Sequence, residues 1–353
     1  MNKRVFLSDK EVADHLFPFT QTRSVADIRI GILTIRQKWE RLLGEPVTVL
    51  RKDEEAAADA IVFAANIIPT AQFIHSMLDA GGAPALQPDY SSVKVLQYPW
   101  HIFLWNDWAL REDYQLLTQH RVSAPIPESV QVVNAGNLFI EPGAVLNHCL
   151  LNASTGPIYI GPNAEVMEGS LIRGPFALGE GSVVKMGTKI YGATTIGPHC
   201  VVGGEIKNSI LFGYSNKAHD GYLGDSVIGE WCNLGAGTSN SNIKNTASEV
   251  NVWHHPTREY LRAGLKCGLL MGDYSRAAIN TSFNTGTVVG ICANIFGEGM
   301  PPKFVPSFTW GNKGLSLYEF EKALTDIGNW KKLKNQLLTE AEITQLKHIF
   351  GQS

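Results

Sequence analysis

One histidine of this chain stands among residues suited to chemistry. His219 lies in the run Lys217-Ala218-His219-Asp220-Gly221-Tyr222-Leu223-Gly224-Asp225, after Lys207 and before Asn233. An imidazole trades a proton near neutral pH, so it can act as base toward an amine. Lys207 could hold a phosphate as a point charge, and Arg173 could do so as a fork. The tight turn Gly235-Ala236-Gly237 could aim backbone N–H groups at a developing oxyanion, because glycine lets the backbone come close. Each residue also has a plainer reading. His219 could be a solvated loop histidine and Arg173 a turn residue. Asn233 could be a rung in a ladder of stacked amides. Asp220 and Asp225 could orient His219, or Asp225 could merely close its Gly-Asp turn. His254-His255, in VWHHPTREYLR, is a rival pair. It has no third ligand close in sequence, so no metal site is expected there or elsewhere.

The scaffold around these residues is written in glycine and in a period of six. The chain has 353 residues and 34 glycines. Every sixth position from Ile160 is aliphatic: Val166, Ile172, Leu178, Val184, Ile190, Ile196, Val202. Four places beyond the first seven of these sit Ala164, Ser170, Phe176, Ser182, Thr188, Thr194 and Cys200, nearly all small. The period returns at Tyr222, Ile228 and Leu234, and again from Met271 to Ile295. A period of six fits neither a helix nor a lone strand. It fits a parallel β-helix with flat faces one hexapeptide long, whose coils bury their interior only against neighbouring coils. The interruptions at 203–221 and 239–269 are expected to be loops thrown out from the stack.

Residues 1–125 read differently, as a short α/β domain. Apolar runs near 5, 48, 61 and 93 have strand length. A helix capped by Asp27 should carry Ile28, Ile32, Ile35, Trp39 and Leu42 on one face and stop at Gly44. Thr70 should cap a second helix ending at Gly81-Gly82, and a third should follow Asn106-Asp107. Asn66 sits at a strand end, where open α/β sheets bind ligands. SAPIPES, 123–129, is a linker signal. The β-helix should fill 126–314, and 315–353 should be helical and cap it.

Lys plus Arg number 30 and Asp plus Glu 33, a net charge of −3, which provides no global basic field for nucleic acid or an anionic membrane. The odd set Cys149, Cys200, Cys232, Cys267 and Cys292 has no C-x-x-C pair, which argues against a disulfide framework. No run is long and apolar enough to read as a leader or a membrane span. The expected setting is cytoplasmic.

Glu205-Ile206-Lys207, then His219, Tyr222-Leu223-Gly224-Asp225 and Asn233-Leu234-Gly235-Ala236-Gly237-Thr238 resemble the acetyltransferase half of the bifunctional GlmU family. There the order is E-I-K, a His, Y-L-G-D and N-I-G-A-G-T. The resemblance implies a left-handed parallel β-helix of the hexapeptide-repeat acyltransferases and N-acetylation of an amino-sugar phosphate, or of a nucleotide sugar, by acetyl-CoA. It implies His219 as general base. Glu205, Lys207, Tyr222 and Asn233, with Asn242 as a further contact, would hold the sugar. Gly235 and Ala236, with Gly272, Asp273 and Gly290, would meet acetyl-CoA. It also implies a homotrimer with sites between adjacent β-helices. The N-terminal run Pro18-Phe19-Thr20 followed by Arg23-Ser24-Val25-Ala26-Asp27-Ile28-Arg29 resembles the start of a sugar nucleotidyltransferase domain. There Arg23, Asp27 and Arg29 could contact a nucleotide or could form a cap with ion pairs. The L-x-x-G-x-G-T-R phosphate loop is absent. Mg²⁺ is expected only if that domain is active. Sugar-1-phosphate nucleotidyl transfer and non-catalytic sugar-nucleotide binding are the alternative functions.

Overall fold

The computed structural model describes residues 4–52, 54–56, 60–79, 90–313 and 316–352. Its body is a left-handed parallel β-helix of three faces. Face A stacks nine strands, from Leu138–Ile140 to Phe304–Val305. Face B stacks eight, from Val145–Leu146 to Asn294–Ile295. Face C stacks six, from Gln131–Val133 to Tyr222–Gly224, and Ser239–Asn240 with Ser282–Phe283 continue it. All neighbours in these ladders are parallel and pair in register, as in Ile158↔Phe176 and Ile160↔Leu178. The eight aliphatic residues from Ile160 to Val202 all point inward and are fully buried. The small residues four places on are equally buried at the corners.

The register slips where the period fails. Residues 203–221 do not leave the stack; they form a further coil, with Glu205–Lys207 on face C, Ile210–Gly213 on face A and Asn216–Lys217 on face B. That coil is short, because two corners lose residues: Gly203-Gly204 alone joins Val202 to Glu205, and Asn208-Ser209 joins Lys207 to Ile210. The strict count of six therefore breaks without any loop. It also misplaces Tyr222, which faces outward beside Glu205 while Leu223 takes the inward place on Ile206. The second interruption does leave the stack. After Asn242 the chain makes an antiparallel hairpin, Asn251–His254 with Glu259–Arg262, and rejoins at Gly268.

The N-terminal domain holds three parallel strands in the order Thr48–Leu50, Val5–Ser8, Ile61–Ala64. Helix α1 (Ile35–Leu43) begins later than expected. Thr34, not Asp27, caps it, through a box with Gln37, and Gly44 ends it at φ 74°. Residues Val25–Asp27 form a separate 3₁₀ turn. Helix α2 (Ala71–Asp79) starts on the Thr70 hydroxyl, which accepts from Phe73 N. Its expected end at Gly81-Gly82 lies outside the described residues. Helices α3 (His101–Leu104) and α4 (Asn106–Thr118) follow.

This domain lies along face A. Phe19, Ile28 and Ile30 share one core with Ile210, Phe212, Val227, Leu270 and Val288. Leu110, Tyr114 and Leu117 of α4 pack with Phe139, Tyr159 and Ala177. Asn106 donates to Ala193 O at 3.0 Å and accepts from Gly31 N at 2.8 Å. The tail is helical as expected: α5 (Phe320–Lys332) and α6 (Glu340–Phe350) cover Trp231, Tyr274, Cys292 and Phe308. Leu333 and Leu337, between the two helices, are exposed. All five cysteines are buried and free. No described helix is long and apolar enough to cross a membrane.

The seam with face A carries a buried ion cluster. Arg23 pairs with Asp273 and with Glu230 at 3.3 Å, and Thr22 also donates to Asp273. Burial pushes the Asp273 carboxyl upward, against the pull of Arg23. Replacing Arg23 with Leu strands that carboxylate, and the expected loss is about 3–5 kcal/mol at pH 7. The loss should shrink as pH falls and Asp273 takes up a proton. Urea unfolding at pH 7 and pH 5 checks both.

Candidate active site

With face A under the N-terminal domain and later face B under the tail, face C and its corner with face B remain open. His219 is exposed on that corner, in the turn Ala218–Gly221 between Lys217 and Tyr222. The turn Gly235–Thr238 stacks on it, with Gly237 N donating to Asp220 O at 3.0 Å. Among the three N–H groups of Gly235-Ala236-Gly237, Gly235 donates to Ala277 O at 2.9 Å and Gly237 is used as above. The Ala236 N–H has no partner among the described residues. A backbone donor left over next to the histidine suits an acyl oxygen.

Face C supplies the polar surface. Its ladder sets Lys189 beside Glu205 and Glu205 beside Tyr222, and sets Tyr191 beside Lys207. Tyr191 donates to Glu205 at 2.6 Å, which together with burial pushes its hydroxyl up to about 12. The Lys207 ammonium lies 5.9 Å from the Tyr191 ring centre. Lys189 and Arg173 are exposed one and two coils below the Glu205 coil, respectively. Lys189 was not singled out by its own sequence context; only the strand register reveals that it shares this surface.

Asn242, expected at the sugar, is buried and already engaged. Its amide donates to the Tyr222 hydroxyl at 3.1 Å and to Asp225. Asp225 also accepts from Asn208 at 2.7 Å, and its carbonyl accepts from Gly268 N at 2.8 Å. Burial, chiefly, raises the Tyr222 pKa, so that hydroxyl stays protonated. Asp225 is thus a clasp between Asn208 and the start and end of the hairpin insertion, not an orienter of the His219 ring. Asn233 is half-buried on face B, in a row with Asn216 and Asn294 interrupted by Arg276. It borders the corner and also serves the ladder.

Other expected residues do not come to this site. Gly272 and Asp273 are buried on the side covered by the N-terminal domain. A Cβ on Gly272 would touch Pro18, and one on Gly290 would meet Ser307. Asp273 is held by Arg23. These three therefore do not open onto the surface, whereas Ala236 lies half-exposed in its turn. Arg23 and Arg29 lie in the domain seam, Arg29 donating to Phe212 O at 3.0 Å, and Asp27 pairs with Arg36 at 2.7 Å. Arg23 and Asp27 are thus held in ion pairs, and Arg29 by backbone carbonyls. Asn66 is buried and donates to Leu96 O. His254 sits with its Nε2 3.2 Å from His15 Nδ1, and His255 stacks on Phe17 at 4.3 Å, so the rival pair fastens the hairpin to the N-terminal domain.

Residues 5–77 match the family model "Sugar nucleotidyl transferase". Over 86 residues, 24% of this chain and 21% of the relative, the chain is 36% identical to the bifunctional protein GlmU of Methanocaldococcus jannaschii. It is 28% identical over 219 residues to a bifunctional sugar-1-phosphate nucleotidylyltransferase/acetyltransferase of Sulfurisphaera tokodaii, covering 58% of this chain and 47% of that one. GlmU of Synechococcus elongatus is 28% identical over 195 residues, 52% of this chain and 38% of the relative. The chain thus spans between about a fifth and about half of the length of these curated relatives. Among solved structures, an Arabidopsis UDP-N-acetylglucosamine acyltransferase aligns with 65% of this chain and 90% of its own, at a TM-score of 0.27 and 16% identity.

Replacing Asp225 with Ala should cost roughly 1.5–3 kcal/mol, because Asn208 and Asn242 lose a charged acceptor. Urea unfolding measures the loss. Faster amide exchange at Gly268 shows the hairpin loosening.

Proposed function

We propose that this GlmU-like chain is an acetyl-CoA-dependent N-acetyltransferase acting on an amino-sugar phosphate of the glucosamine-1-phosphate kind or on a nucleotide sugar. The observation that carries the reading is the pairing of an exposed His219 turn with the stacked Ala236 turn and its unpartnered N–H. His219 takes a proton from the acceptor amine. The amine nitrogen bonds to the thioester carbonyl carbon, and the Ala236 N–H meets the charge that gathers on the carbonyl oxygen. The C–S bond then breaks, and the proton held by His219 goes to the departing thiolate. Lys207, with Lys189 near it, holds the phosphate. Tyr222 and Asn233 orient the sugar. No covalent enzyme intermediate is needed.

The reading includes a homotrimer. Exposed Val133 and Leu171 on face C, with Val145 on face B, offer apolar surface. A groove of about 430 Å³ along Leu150, Leu171, Arg173, Lys189 and Tyr191 suits a second β-helix closing over the sugar. His219→Ala should cut thiol release from acetyl-CoA with glucosamine-1-phosphate by roughly 10²–10⁴. Unchanged turnover sinks the assignment. Sedimentation should give three chains, and Leu171→Asp should lower that number and the activity together.

A second reading, Mg²⁺-dependent sugar-1-phosphate nucleotidyl transfer, draws on one cavity. It measures about 400 Å³ at the carboxyl ends of the parallel strands and is lined in part by Asp9, Arg51 and Lys52. Pyrophosphate release from a nucleoside triphosphate and a sugar phosphate tests it.

A further inference from the structure

The inner row of face B is aliphatic in every coil but one. Val202 lies below Lys217 and Leu234 above it, and Lys217 is 1% exposed. Among the described residues it forms no ion pair with a carboxylate within 4.0 Å. A buried ammonium is costly unless its N–H groups are satisfied. This one reaches the corner and donates to Gly203 O at 3.2 Å and to His219 O.

The reason lies in the corners that lead from face B to face C. Four other such corners end in Ser170, Thr188, Thr238 and Thr281, whose hydroxyls tie up a corner carbonyl, while the first ends in Cys149. Thr188 donates to Lys185 O, and Thr238 and Thr281 donate to Ala278 O. At the His219 corner that residue is Gly221, at φ 121°, where a Cβ would lie 2.1 Å from Thr238 O. The corner below is only Gly203-Gly204. Neither can place a hydroxyl, and the Lys217 ammonium stands in from inside the coil.

We propose that Lys217 is a positioning residue for acyl transfer, clamping the His219 peptide to the Gly203 corner from within so that the imidazole is held against the Ala236 turn. This rests on His219 being the base. Burial pushes the Lys217 amine down to about 8, and Asp220 on the same corner opposes that shift. The neighbouring coils present Val202 and Leu234 to it. Below about pH 8 the clamp is charge-assisted; above it the amine is neutral and the hold weakens. An unfolded lysine keeps its proton to about 10.4. Between about 8 and 10.4 the unfolded chain therefore binds more protons, and the Lys217 contribution to stability rises while activity falls.

The experiment follows thiol release from acetyl-CoA with glucosamine-1-phosphate from pH 6 to 10, for wild type, Lys217→Met and Lys217→Arg. In parallel, the ¹³C-labelled His219 ring is followed by NMR, assigned with His219→Gln. We expect Lys217→Met to lose about 100-fold in kcat, the scale of a displaced catalytic group, with KM for acetyl-CoA within twofold. The alkaline fall near pH 8 should vanish in Lys217→Met and move upward in Lys217→Arg. The wild-type His219 resonance should show an added inflection near pH 8 that Lys217→Met lacks. Wild-type kcat and pH profile in Lys217→Met overturn the proposal. If wild type transfers no acetyl group, the functional reading fails, and the NMR inflection alone decides Lys217. If Lys217→Met does not fold, absence of the inflection in wild type overturns the clamp.

Discussion

A coil of a parallel β-helix has no core of its own, and everything else here follows from that constraint. Each inward side chain is covered only by the coil above and the coil below. Ile160, Leu178 and Ile196 form one such column, and Val166, Val184 and Val202 another, all without exposed surface. A rigid stack so made presents three outward faces, and their covering decides where chemistry can occur. The N-terminal domain seals face A, and α5 with α6 closes over later face B. What remains open is face C and the corner that carries His219.

The seals use charge sparingly. Arg23 reaches across the seam to Asp273 and Glu230, and Lys38 donates to Asp113 within the N-terminal side of the seam, beside the Ile32 and Leu33 amides that Asp113 also binds. Buried pairs of this kind add little net stability against a well-packed apolar alternative, yet losing one partner is costly. Of these, only the Arg23 pairs cross from the domain to the β-helix; Lys38 and Asp113 tie α1 to α4 within the domain. Lys217 is a different case: a buried cation answered by carbonyls rather than by a carboxylate.

The hairpin insertion links the two halves. It leaves the stack at Asn242, whose amide touches the Tyr222 hydroxyl and Asp225, and its tip holds His254 and His255 against His15 and Phe17. The short coil 203–221 serves the same region from below. By losing corner residues it sets Glu205 and Lys207 directly under Tyr222 and Gly224.

Sequence alone determined the β-helix, because an inward position tolerates only aliphatic side chains and so repeats every six residues wherever the corners keep their length. It also marked His219, Tyr222 and the Ala236 turn, which lie within one short run whose residue types survive any register. It misjudged 203–221 and Tyr222, since losing residues at two corners breaks the count without breaking the stack. Only the tertiary structure decided the rest. Arg23 and Asp273 are 250 residues apart and meet through domain packing. Gly272 lies under Pro18 for the same reason. Lys189 comes beside Glu205 by strand register, and among the described residues the Ala236 N–H has no partner while its neighbours donate to Ala277 and Asp220. Periodicity records which side of its own strand a residue faces; what covers that side is a contact between distant segments, and no local pattern encodes it.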